Sequence, residues 1–191
     1  MRKMVLFFIM FSLLMLSVTG CSLLQRPNTV ADQFLLSLKN NEFDKLAPLV
    51  YTKEGTKSEI KTTPEALNTE EGKIIKALLS KISFEPAKTE SKEGDSAVVS
   101  VKITTVDTNV LYAKLMQEVM PLAFASAFAG EEEQKEIEKM MPSLMLKNIN
   151  DPNVTMTTKD IKMNLKKIDG KYKVVMDDQL FKDLFGELGS K

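Results

Sequence analysis

The sequence predicts an α+β fold: an antiparallel sheet packed on amino-terminal helices, with a helical insert between two β-hairpins. Three observations predict it. Val30, Phe34, Leu35 and Leu38 recur at the spacing of one helix face. Two stretches, 97–106 and 161–176, alternate apolar and polar residues at the period of a half-buried strand. Between them, 110–148 reads as helix throughout, interrupted by Gly130.

Asn28 or Thr29 is the expected cap of the first helix, which ends at Asn40-Asn41. A second short helix is expected over about 43–51, with Phe43, Leu46, Leu49 and Val50 on one side and Pro48 weakening its interior. Thr63 followed by Pro64 signals another helix start, and Leu67, Ile74, Ile75, Leu78 and Leu79 extend it. A strand-like segment, 82–91, leads through the Lys92-Glu93-Gly94-Asp95 turn into the strand bearing Val99, Val101 and Ile103, which makes the first hairpin 82–106. In the second hairpin, Ile161, Met163 and Leu165 alternate with polar residues, and Asp169-Gly170 marks a tight turn before Tyr172, Val174 and Met176. Ile168 is out of phase, which predicts a bulge beside that turn. A short amphipathic helix, 178–188, closes the chain with Leu180, Phe181, Leu184 and Phe185.

The insert comprises two expected helices, Val110 to Ala129 and Glu131 to Asn148. Val119 to Ala129 contains one polar side chain, Ser126, yet is too short to span a bilayer, so burial inside the protein is its default expectation. Ile137, Met140, Met141, Leu144 and Met145 line the second helix. Thioethers repack around varied partners, so Met116, Met120, Phe124, Phe128, Met140 and Met145 form a candidate adaptable surface for a partner or ligand.

At the amino terminus, Arg2 and Lys3 precede a nearly unbroken apolar run from Met4 to Ser17, the layout of a secretion signal. The run is shorter than the roughly 20 residues a membrane-spanning helix needs, and small residues close it. Those residues, Val18-Thr19-Gly20-Cys21, resemble the lipobox of bacterial lipoproteins. The resemblance implies cleavage before Cys21 and a diacylglyceryl thioether on its sulfur. Two acyl chains, at about 0.8 kcal/mol per buried CH₂, hold a domain on a bilayer far longer than one. The expected organisation is therefore a signal at 1–20, a lipidated tether at 21–28 and a single domain at 29–191. The expected location is the extracytoplasmic face of a membrane. Lys outnumbers Arg 24 to 2, which hints at an AT-rich genome and favours a Gram-positive surface.

Residues 30–50 (VADQFLLSLKNNEFDKLAPLV) and 169–188 (DGKYKVVMDDQLFKDLFGEL) resemble small lipoproteins with a cone-shaped domain like nuclear transport factor two. That resemblance implies a curved antiparallel sheet whose concave side receives the amino-terminal helices. The insert departs from the simplest form of that fold, which joins its long strands by a tight turn. No catalytic motif of the wider fold matches residue by residue.

Composition narrows the chemistry. The chain has 26 basic and 26 acidic side chains, and removing residues 1–20 takes away Arg2 and Lys3, leaving 24 and 26. Lys is interleaved with Glu and Asp throughout, so nucleic acid is not an expected partner. There is no His, and Cys21 is the only Cys, which excludes His-based triads, imidazole metal ligands and internal disulfides. Asp177-Asp178, with Asp169, Asp183 and Glu187 near in sequence, suggests a carboxylate cluster, but a helix cap expected at Asp178 and a turn at Asp169 account for two of them. Glu131-Glu132-Glu133 suits a helix start. No Ser-Lys or carboxylate spacing supports catalysis, and neither cofactor nor metal is expected. The sequence thus points to a tethered, non-enzymatic interaction module binding an envelope protein. The alternative is a carrier or sensor of a small apolar ligand held in the cone.

Overall fold

The computed structural model describes residues 26–51, 64–126 and 131–186. Helix α1 spans Pro27–Lys39. It starts two or three residues earlier than a cap at Asn28 or Thr29 would place it, because Pro27 occupies the first position, where its missing N–H costs nothing. Asn41 follows with a left-handed φ of 57°, a conformation Asn tolerates better than other non-glycine residues.

The expected helix over 43–51 is instead two 3-10 turns, Phe43–Lys45 and Ala47–Leu49, followed by strand β1, Val50–Tyr51. Pro48 prevents a continuous α-helical ladder here. Next come two helices where one was expected, α2 (Pro64–Leu67) and α3 (Glu70–Ser80). Thr69 restarts the helix by accepting a 3.1 Å hydrogen bond from the Gly72 N–H. At Gly72 a Cβ would collide with the backbone of Ala66 and Leu67, so only glycine lets the two helices meet this closely. Thr63 lies outside the described residues.

The expected strand over 82–91 is divided into β2 (Ser83–Phe84) and β3 (Lys88–Glu93), with Pro86 between them. Strand β4 (Ser96–Val106) leads into α4 (Thr108–Ser126) and α5 (Glu131–Asn150), and the chain returns through β5 (Met156–Ile168), β6 (Lys171–Val175) and α6 (Asp178–Phe185).

The sheet is curved and unclosed, in the order β1-β6-β5-β4-β2, with β3 also on β4. All pairs are antiparallel except β1 with β6, where Val50 lies beside Val174. The central register runs unbroken from Ser96 opposite Lys166 to Val106 opposite Met156. Asp169 and Gly170 both have positive φ, 50° and 79°, as a two-residue hairpin turn demands. The bulge expected at Ile168 is absent: Ile168 pairs with Lys171 in the regular register, and its side chain is half-buried at the hairpin end. The irregularity lies in β3, between Thr89 and Ser91.

Alternation places Ala97, Val99, Val101 and Ile103 of β4 on the same buried side as Ile161, Met163 and Leu165 of β5. Against them pack Val30, Phe34, Leu35 and Leu38 of α1 and Leu180, Leu184 and Phe185 of α6, forming one core. Each such side chain contributes about 1.5–3 kcal/mol on burial. A second, smaller cluster joins Leu78 of α3 to Val106, Leu111 and Ile149, with Ile74, Ala77, Met145 and Val154 packed on it. This cluster seats the helical insert on the rest of the domain.

Candidate docking surface on the helical insert

The insert is a hairpin of two long helices whose base is firmly bonded. Asp107 precedes α4 and accepts hydrogen bonds from the N–H groups of Asn109 and Val110, both at 3.1 Å. Lys114 reaches Asp151 at 3.0 Å, and Lys147 reaches Glu118 at 3.7 Å, tying the two helices together. Asp151 also accepts from the Asn153 N–H at 2.8 Å, closing the turn after α5. Its carboxyl is held below the ordinary range, first by that N–H and then by Lys114.

Leu111, Leu115 and Val119, each four residues apart, form the buried stripe of α4. The same helix carries a second apolar series that stays in solvent. Met120 is 56% exposed, Leu122 42% and Phe124 67%. Tyr112 and Val110 are exposed nearer the base. Pro121 and Pro142 lie within α4 and α5, where each removes one rung of the helical ladder.

The six candidate residues therefore divide. Met120, Phe124 and Met140 are exposed. Met116 is half-buried, and Met145 packs on the smaller core cluster. Phe128 lies outside the described residues, as does Cys21. The default expectation of burial fails for 120–124, all of which are exposed. Of the five residues expected on one face of α5, Ile137, Met141, Leu144 and Met145 are half-buried, whereas Met140 turns out to solvent. Periodicity cannot make this division, because Met120, Leu122 and Phe124 in the last turns of α4 are as apolar as Leu111, Leu115 and Val119 and no polar residue separates them after Glu118.

The carboxylates serve the fold. The cap of α6 is Asp177, not Asp178: it accepts from the Leu180 N–H at 2.8 Å and from Asn164 Nδ2 at 3.2 Å. Asp183 pairs with Lys159 at 3.3 Å and accepts from Gln179 at 3.2 Å. Asp169 occupies its turn, and Glu187 lies outside the described residues. Among the described residues, no group of three or more His, Cys, Asp and Glu is placed to hold a metal ion. Among the same residues, no helix is long and apolar enough to cross a membrane.

No protein-family model and no curated protein matches the chain. Among solved structures it is similar to a protein from Bacillus subtilis strain 168 described as a putative lipoprotein, with 22% identity and a TM-score of 0.44. The alignment covers 62% of this chain and 38% of that one, so the chain spans well under half the length of that protein. The α+β architecture stands on the strand register and core packing given above.

Proposed function

We propose that the protein is an extracytoplasmic lipoprotein, held on its membrane by an acylated Cys21, whose domain is a non-enzymatic binding module with the helical hairpin as its partner surface. The observation that carries this reading is the outward display of Met120, Leu122 and Phe124 at the far end of a helix already anchored by its other stripe. An apolar series of this kind, left in water beside a complete core, is the mark of a surface that meets something else. The lipobox-like Val18-Thr19-Gly20-Cys21 supplies the anchor, and the Lys-rich composition favours a Gram-positive surface.

An apolar ligand inside the cone draws less support, because Phe34, Leu35 and Leu38 are 1% exposed or less and occupy the core beside the sheet. The absence of His and the structural employment of Asp177 and Asp183 support a module without catalysis.

The test is photo-crosslinking in intact cells with a benzophenone amino acid at position 124 or 120, and at the exposed position 162 of β5 as control. A discrete protein adduct from 124 and 120, absent from 162, supports the proposal. Silence at 124 and 120, or the same adducts at all three positions, overturns it.

A further inference from the structure

The hairpin carries a proline inside each of its helices, and the register of the two helices puts both in one layer. Lys114 lies beside Asp151 and Glu118 beside Lys147, so four residues outward along α4 match four residues back along α5. Continued outward, this register sets Pro121 opposite Leu144 and Pro142 opposite Ala123. The two prolines therefore lie two residues apart along the hairpin, about 3 Å of helical rise. Pro121 has no N–H to give the Gln117 carbonyl and Pro142 none to give the Glu138 carbonyl, and each ring also crowds the carbonyl it leaves unpaired. One bent helix can be splinted by an intact neighbour. Here both ladders are interrupted in the same layer, so neither helix splints the other.

Support from the rest of the domain ends at the same level. Among the described residues, Val119 is the outermost buried side chain of α4, and Met145 is the outermost residue of α5 packed on the smaller core cluster. Beyond them, 120–124 are all exposed and 135–144 contain no buried residue. Inward of the layer, Leu78 of α3 packs with Leu111 and Ile149, and the two ion pairs tie α4 to α5 and to the turn that follows it. We propose that the Pro121–Pro142 layer is a hinge, about which α4 beyond Pro121 and α5 before Pro142 swing as intact helix while the base stays fixed. Leu122, Phe124 and Met140 lie on the swinging side, and Leu115 and Val119 on the fixed side. The hinge thus re-aims exposed apolar residues without disturbing the core, and it exists whether or not a partner binds them.

The test measures distances by double electron–electron resonance in the whole chain, held in phosphatidylcholine nanodiscs. Spin labels on a genetically encoded keto amino acid leave Cys21 untouched. One label sits at the exposed position 73 of α3, and the other at exposed position 113 in the base or 136 in the outer part. The 73–136 distribution is expected to be about twice as wide as the 73–113 distribution, or wider. Pro121→Ala with Pro142→Ala restores both rungs, and should narrow 73–136 to about the width of 73–113 while leaving 73–113 unchanged. Hydrogen exchange over 135–141 separates a swinging helix from a frayed one, with amides expected to exchange about tenfold slower than in unstructured chain, or slower still. A native 73–136 distribution as narrow as 73–113 overturns the hinge. So does breadth that survives the double substitution, or breadth accompanied by exchange over 135–141 at the unstructured rate.

Discussion

Lys114 and Asp151 meet at 3.0 Å, joining the first helix of the hairpin to the turn that leaves the second. Asp151 also takes the Asn153 N–H, and these two partners hold its carboxyl below the ordinary value of 3.8, the N–H more strongly. A group whose pKa is lower folded than unfolded adds stability above the ordinary pKa and loses it as pH falls through the lowered one. Carbon-detected NMR titration should place the Asp151 midpoint below 3.8. Lys114→Ala should raise that midpoint part of the way, because the Asn153 N–H remains. The variant should be less stable than the native protein at neutral pH, with the difference closing in acid. A midpoint at the ordinary value in the native protein contradicts the geometry of the hairpin base.

Buried and exposed apolar residues of the two hairpin helices should respond oppositely to truncation. Leu115 is 2% exposed, and Leu115→Ala should cost about 2–5 kcal/mol in denaturant unfolding. Met140 is 44% exposed, and Met140→Ala should stay within about 0.5 kcal/mol of the native value. Met145→Ala, at the edge of the smaller core, should fall between them. Equal costs at 115 and 140 would show that Leu115 is not buried, or that Met140 is not exposed, in the folded hairpin.

Much of this fold was legible in the sequence, and the failures have physical causes. Val99, Val101 and Ile103 against Ile161, Met163 and Leu165 announce the central strand pair, because a two-sided strand writes its burial as strict alternation. The sequence places Val50-Tyr51 at the end of a helix, because two residues show no period and their partner, β6, lies far along the chain. The restart at Thr69 was visible as Thr before Glu70 and Glu71, but the apolar spacing on either side reads as one helix. Pro27 marks the true start of α1, although Asn28 and Thr29 are the residue types that favour a cap. At the candidate surface, Met120 and Leu115 are equally apolar, and only the packing of α4 on its neighbours decides which one faces water.

Gly186 ends α6 with φ 63° and ψ −149°, a region open essentially to glycine alone, and a Cβ there would run into Thr108 at the start of α4. Gly186→Ala should destabilise the domain by about 1–3 kcal/mol from backbone strain, with the collision added. Pairing it with Thr108→Ala should recover the collision and leave the strain. Full recovery in the double variant would show that the backbone at 186 is unstrained.

Acylation at Cys21 has a direct readout. Metabolic labelling with an alkyne fatty acid should mark the protein, and Cys21→Ala should abolish the label and send the protein to the medium or to an uncleaved membrane form. Undiminished labelling of the variant would show that Cys21 does not carry the acyl chain.

The function proposed for the hairpin requires that its exposed apolar residues bind a partner. Met120→Ser combined with Phe124→Ser, used as bait against envelope extract beside the native protein, tests this when the same samples are also melted. Capture of the hairpin's partner should fall about tenfold or more while the melting temperature moves by no more than a few degrees. Capture that persists undiminished in the folded double variant contradicts that function.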